Sequence, residues 1–237
     1  MIRHDFVRLA GLVLIAVALL TFAGLAGEVM EGDTLGFDRL ILLALRSPSN
    51  PSNPIGPRWL GEVARDVTGL GSIVVLTGVT LAVAGYLALI GKRSGAFLVL
   101  AAVGGGAALS TLLKLAFQRP RPDIVPHAVQ FYTASFPSGH AMLSAVIYLT
   151  LGTLLVRMQA RRSVKAYVMT LAVLMTLLVG VSRVYLGVHW PTDVLAGWCI
   201  GAAWALLWWL VALNLQSKGK VETATSTKSP TIPIAPP

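Results

Sequence analysis

LAGLVLIAVALLTFAGLAG, residues 9–27, carries no charged side chain over about the 20 residues that an α-helix needs to cross the hydrocarbon core of a bilayer. Arg3 and Arg8 stand before it and Glu28 and Glu31 after it, so the apolar run is bounded as a membrane span is. A signal peptide has a similar basic start, and Ala23, Gly24, Ala26 and Gly27 supply small residues. The run is long for a signal core, however, and its removal would leave every later segment on the same side. Reading outward, apolar runs recur near residues 7–27, 72–91, 95–117, 138–156, 167–186 and 192–213. Ser138, Gly139, His140 and Ser144 dilute the fourth, but Ala141 to Val156 is too apolar for a loop.

Composition agrees with this reading. The 237 residues are 55% hydrophobic and 12% charged, with a mean hydropathy of +0.74, whereas soluble domains are about a quarter charged. The expected fold is all-α, an integral membrane bundle of six transmembrane helices with an interfacial helix in the first outer loop. One membrane domain over 1–216 accounts for nearly all of the chain, and the Ser-, Thr- and Pro-rich tail over 217–237 reads as a disordered cytoplasmic extension. The net charge of +9 lies in short clusters between apolar runs and forms no continuous stripe, which excludes nucleic acid as a partner. The bilayer is the expected partner, and nothing points to an obligate protein partner. The one cysteine, Cys199, sits inside an apolar run and permits no disulfide within the chain.

Lys and Arg concentrate in alternate connections: Arg3 and Arg8, then Lys92 and Arg93, then Arg157, Arg161, Arg162 and Lys165, and last Lys218, Lys220 and Lys228. The first loop on the other side instead mixes Glu28, Glu31, Asp33, Asp38, Glu62 and Asp66 with Arg39, Arg46, Arg58 and Arg65. By the positive-inside rule both termini are cytoplasmic. In that loop, Phe37, Leu40, Ile41, Leu43 and Ala44 recur at helical spacing opposite Asp38, Arg39 and Arg46, which predicts an interfacial helix over Gly36 to Arg46. The turn-rich stretch from Pro48 to Pro57 then reads as a loop lying against the bilayer surface.

Three polar clusters interrupt the apolar pattern, and this topology sends all three to the outer side. KLAFQRPRP, Lys114 to Pro122, ends the third span, with Pro120 and Pro122 blocking further helix. FPSGH, Phe136 to His140, begins the fourth, where Ser138 is placed to cap the helix and free backbone amides can hold an anion. SRVYLGVHWPTD, Ser182 to Asp193, joins the fifth and sixth. There His189 and Asp193 are four residues apart with Pro191 at the start of a helix, so both lie on one face and the carboxylate can fix the imidazole tautomer. Each cluster alone also fits a plainer role: snorkelling anchors, a helix cap, or a His–Asp pair that joins two helices.

Together they have the parts for phosphoryl transfer through a phosphohistidine. Lys114, Arg121, Arg183 and the amides neutralise phosphate oxygens, one histidine attacks, and another group protonates the leaving oxygen. No carboxylate cluster suited to Mg²⁺ accompanies them, so neither a metal nor another cofactor is expected.

These residues resemble the three signature motifs of the type 2 phosphatidic acid phosphatase superfamily, which also includes vanadium haloperoxidases and glucose 6-phosphatase. Lys114, six residues, Arg121-Pro122 fits the first; Pro137-Ser138-Gly139-His140 the second; Ser182-Arg183, five residues, His189, three residues and Asp193 the third. The resemblance implies that His189 is the nucleophile, His140 the acid and Asp193 the partner of His189, with Lys114, Arg121, Ser138, Gly139 and Arg183 holding the phosphate. The motifs span residues 114–193, and Arg119 is not a motif position, leaving it to electrostatics near the phosphate or to anchoring.

The layout is similar to the bacterial membrane members, which implies an enzyme of the bacterial inner (plasma) membrane with its site on the periplasmic or extracellular side. The implied substrates are undecaprenyl diphosphate, phosphatidic acid, phosphatidylglycerol phosphate and lipid A phosphates, with recycling of the cell-wall carrier the first choice. A phosphotransferase that resolves the intermediate with a lipid hydroxyl, and a lipid-phosphate transporter without turnover, are the alternatives. His140, His189 and Asp193 speak against the transporter, because binding alone needs the cations and not a nucleophile with an acid.

Overall fold

A segment that crosses lipid has to satisfy its own backbone hydrogen bonds, and the apolar runs do so by folding into helices. The computed structural model describes residues 2–124 and 133–217. In chain order the elements are α1 (Ile2–Glu31), α2 (Leu35–Ala44), β1 (Arg46–Ser47), β2 (Asn50–Pro54), α3 (Arg58–Gly69), α4 (Ile73–Leu89), α5 (Arg93–Phe117), α6 (Gly139–Met158), α7 (Arg162–Tyr185) and α8 (Pro191–Ser217). The tail expected over 217–237 lies, after Ser217, outside the described residues.

Helices α1, α5, α6, α7 and α8 are each long and apolar enough to cross a membrane. The 17-residue α4 reaches that length only together with α3, from which it is bent by 44°, so the described chain has five such helices, or up to six with the bent pair as one span. Large apolar side chains such as Leu9, Leu12, Leu20, Val74, Leu89 and Phe97 stand exposed on the outside of the bundle. Their number and spread fit contact with lipid tails and do not fit water. The protein is an integral membrane protein.

The segment between α1 and α4 is more ordered than its turn-rich sequence suggests. Arg46 and Ser47 pair with 50–54 in a short antiparallel ladder where a plain loop is expected, and α3 follows where no helix is expected. α2 covers nearly the predicted stretch, but it turns Asp38 into the protein together with Leu42, leaving Arg39 exposed. Asp38 and Arg46 are buried, whereas Phe37, Leu40 and Leu43 are exposed. Side-chain bonds hold this segment against the bundle: the Arg46 guanidinium donates to the Tyr185 carbonyl, the Tyr185 hydroxyl donates to the Ile55 carbonyl at 2.6 Å, and Arg183 donates to the Thr68 hydroxyl at 3.2 Å.

At the centre, α6 packs against both α7 and α8, α1 lies on α8, and α4 reaches α6 chiefly through α5. The α6–α8 crossing is made of small residues. A Cβ on Gly197 would stand 2.8 Å from the Ser138 carbonyl oxygen and 3.1 Å from the Ala141 methyl, and one on Gly201 would stand 2.6 Å from the Met142 carbonyl oxygen. Gly197 and Gly201 are four apart on α8, facing Ala141 and Ala145 on α6, the spacing that lets membrane helices approach backbone to backbone. That approach brings the first turns of α6 and α8 together.

Replacing Gly201 with Val puts side-chain atoms into the α6 backbone, where overpacking costs about 1–3 kcal/mol. Thermal unfolding of purified Gly201→Val in detergent is expected to shift to clearly lower temperature. Gly104→Ala, at a helical position with nothing within 4 Å of its added Cβ, is expected to match or slightly exceed the parent.

Candidate active site

The first turn of α6 begins at Gly139, directly after the cis Phe136–Pro137 bond. Ser138 occupies the N-cap position in an extended conformation, but its hydroxyl makes no capping hydrogen bond, contrary to the expectation that it caps the helix. Its backbone N–H instead ties the head of α6 to α8, donating to the Asp193 carbonyl at 2.9 Å. The Ser138 Oγ is left buried without a partner among the described residues. The amides of 139–141 precede the first residue whose N–H finds an intrahelical carbonyl, Met142 to Ser138 at 2.9 Å, and as first-turn donors they have none.

On the other side, α7 ends in a left-handed turn. Gly187, with φ of 73°, lets Val188 donate back to the Arg183 carbonyl at 3.2 Å, and the chain then doubles into α8, whose first residue is Pro191. His189 lies inside this turn with 1% of its surface exposed, and Asp193 one helical turn on has none. Asp193 Oδ2 faces His189 Nδ1 at 3.2 Å and accepts the Trp190 N–H at 3.0 Å. A carboxylate can only accept, so Nδ1 carries the proton and Nε2 presents its lone pair. Nε2 lies 3.2 Å from Arg121 Nη1. Burial, joined by the Arg121, Arg183 and Lys114 cations, holds the imidazole well below its ordinary pKa of 6.5, so the ring is neutral at neutral pH.

Lys114, Arg121, Gly139, His140, Arg183 and His189 line one cavity of about 350 Å³, while Ser138 and Asp193 stand just behind its wall. Lys114 donates to the Ala134 carbonyl at 2.7 Å; Arg121 is braced by the carbonyls of Thr133 at 3.1 Å and Val188 at 3.0 Å. Arg183 is buried, and its Nε has no partner among the described residues. Below this polar end the cavity continues between α4, α5 and α6 along Ile73, Leu76, Val103, Leu143 and Ile147. All eight residues singled out in the sequence therefore gather at one end of the bundle, contributed by the end of α5, the start of α6, the end of α7 and the turn into α8.

Arg119 is not among the lining residues. It is buried behind His189, where Nη1 donates to Asp193 Oδ1 at 2.6 Å and Nη2 to Asp38 Oδ2 at 2.7 Å. Asp38 in turn accepts the Thr192 N–H at 3.0 Å and the Thr192 hydroxyl at 2.7 Å. Sequence reasoning missed Asp38 and Thr192. The one signal was a pair of acids, Asp38 and Asp193, beside one surplus arginine that fits no motif.

The PAP2 superfamily profile matches residues 95–217, from the start of α5 to the end of α8. Phosphatidylglycerophosphatase B of Bacillus subtilis (strain 168) is 36% identical over 154 residues, covering 65% of this chain and 74% of that protein. Lipid A 1-phosphatase of Rhizobium johnstonii is 30% identical over 199 residues, covering 73% of this chain and 76% of that one. Among solved structures, the transmembrane PAP2-type phosphatidylglycerolphosphate phosphatase from Bacillus subtilis superposes with a TM-score of 0.73 at 29% identity, over 85% of this chain and 96% of that one. The shared helices, profile and relatives lead to one conclusion: the chain belongs to the PAP2 superfamily of membrane lipid phosphatases and is a phosphoric ester hydrolase.

Proposed function

We propose that the protein hydrolyses the phosphate or diphosphate of a membrane lipid through a phosphohistidine on His189, without a metal ion. The observation that carries this reading is the His189 imidazole, fixed by Asp193 through Nδ1 and turning its neutral Nε2 toward a cavity walled by Lys114, Arg121 and Arg183. Nε2 attacks phosphorus while the bond to the leaving oxygen breaks, and His140, at the same wall, gives that oxygen its proton. Water then attacks the phosphohistidine, His140 takes up a proton, and phosphate leaves with His189 restored. The Arg183 Nε, unpartnered among the described residues, and the first-turn amides of α6 supply donors for the equatorial oxygens, with the unpartnered Ser138 hydroxyl beside them in sequence. Three cations and those donors offset the charge that a metal ion neutralises in other phosphoryl-transfer enzymes. The Asp193 oxygens, engaged by Arg119, His189 and Trp190, serve the imidazole.

The apolar part of the cavity favours a lipid over a soluble ester, with the chain lying between α4, α5 and α6. Phosphatidylglycerophosphate and lipid A phosphates, named by the relatives, and undecaprenyl diphosphate and phosphatidic acid all present the required group. Six spans are the arrangement proposed, with α4 as the second, α2 and the exposed Phe37, Leu40 and Leu43 in the interface, and the tail from 217 cytoplasmic. Both termini are then cytoplasmic, and the site faces the periplasmic or extracellular leaflet of a bacterial plasma membrane.

Phosphate release from a panel of these four lipids by purified protein in detergent with EDTA tests the reaction. The parent is expected to turn over with at least one of them and His189→Ala with none. His140→Ala is expected to lose about 10²–10⁴-fold in kcat, and Arg183→Gln about 10²–10³-fold. Full activity in His189→Ala overturns the nucleophile assignment, and loss of parent activity in EDTA overturns the metal-free reading. Reporter fusions after residues 92 and 124 are expected to signal the cytoplasm and the outside respectively; a cytoplasmic signal from the second removes the outer-leaflet substrate.

A further inference from the structure

Asp193 holds the nucleophile, and something has to hold Asp193. Two of its contacts, with His189 and the Trp190 amide, come from its own turn, and both use Oδ2. Oδ1 is gripped by Arg119, which follows α5 and the left-handed Gln118, whose φ is 44°. Arg119 is itself gripped from the far side, by Asp38 and by the Thr34 hydroxyl at 3.1 Å. Asp38 lies on α2 and is fully buried. Its two oxygens also take the Thr192 amide and hydroxyl, so one α2 carboxylate satisfies a first-turn donor of α8 and the guanidinium that orients Asp193. The Trp190 ring covers the assembly, with the Arg119 guanidinium carbon 5.6 Å from its centroid.

We infer that Asp38 and Arg119 are positioning residues for catalysis: the α2 segment docks through Asp38 onto Arg119 and Thr192, and this docking sets the angle at which Asp193 presents His189 Nε2 to the phosphate. Neither residue lines the cavity, so they act through Asp193 and not on the substrate. A bidentate guanidinium suits the task because its fork fixes two carboxylates in one plane, which a lysine ammonium cannot do. The exposed apolar face of α2, with Phe37, Leu40 and Leu43, points away from this network. A segment at the edge of the bundle thereby becomes part of the catalytic geometry.

The inference rests on the phosphohistidine reading, and the test separates the two. The full chain is assayed in detergent on a lipid phosphate that the parent hydrolyses, beside Asp38→Asn, Arg119→Lys and the double variant Asp38→Asn with Arg119→Gln. The double variant removes one negative and one positive charge together, so the net charge of the cluster is unchanged while Asp193 loses its guanidinium partner. Absence of turnover in the parent sinks the reaction itself, whereas the positioning role is read only against an active parent and an inactive His189→Ala. In all three variants kcat is expected to fall about 10–100-fold, as for residues that orient a catalytic ligand. KM and product inhibition by inorganic phosphate are expected to stay within about threefold, because Lys114, Arg121 and Arg183 are untouched. Parental kcat in a folded Asp38→Asn or double variant overturns the inference. So does a parallel loss of inorganic phosphate binding and kcat, since that is the mark of a collapsed pocket and not of a misaimed histidine.

Discussion

A carboxylate with no exposed surface, at the head of a helix that crosses a membrane, is the constraint around which the active end of this protein is arranged. Asp193 is tolerable there only because each oxygen is engaged, Oδ1 by Arg119 and Oδ2 by His189 and the Trp190 amide. Through its carboxylate and its main-chain carbonyl, Asp193 draws in four separate pieces of chain. The α7–α8 turn brings the imidazole, the stretch after α5 brings the guanidinium, α2 brings the counter-carboxylate, and Ser138 at the head of α6 donates its amide to the Asp193 carbonyl. Small residues at the α6–α8 crossing make the last contact possible, since any side chain at Gly197 or Gly201 would separate the two helix ends.

With those ends in register, the electrostatics of the cavity follow. Cations gather at one wall, Lys114, Arg121 and Arg183, with no acidic side chain beside them among the described residues that line the cavity. Burial first, and these cations after it, keep the His189 ring neutral. Arg121 illustrates the economy of the arrangement: one guanidinium is braced by the Thr133 and Val188 carbonyls, touches His189 Nε2, and lines the cavity. The apolar reach of the same cavity into the bundle couples this polar end to a lipid chain, so one continuous space suits an amphipathic substrate.

Five of the six expected spans were legible because lipid leaves a simple signature, long runs without charge, and the three polar clusters were legible because they break it. What sequence could not convey was who pairs with whom across the fold. Asp38 sits on a short amphipathic helix, where a charged residue is expected to face water; its partner Arg119 lies 81 residues away and, read alone, looks like an interfacial anchor. Ser138 looked like a cap because it precedes a helix, but its amide is spent on α8 and its hydroxyl points elsewhere. The helix over Arg58–Gly69 was missed because its Glu, Arg and Asp content was read as outer loop, although Trp59, Val63 and Val67 recur at helical spacing. Tertiary pairing decided the contacts of Asp38 and Ser138, and no local pattern encodes it.

The central claim is that phosphate passes through His189. The direct measurement is to mix purified protein with a lipid phosphate labelled at phosphorus, quench within the first turnover in alkali, where a phosphohistidine survives, and map the label by peptide mass spectrometry. The account predicts transient label on the peptide containing His189, lost on brief acid treatment and absent from His189→Ala. Label on another residue, or a parent that releases phosphate with no labelled protein while His189→Ala turns over normally, contradicts it.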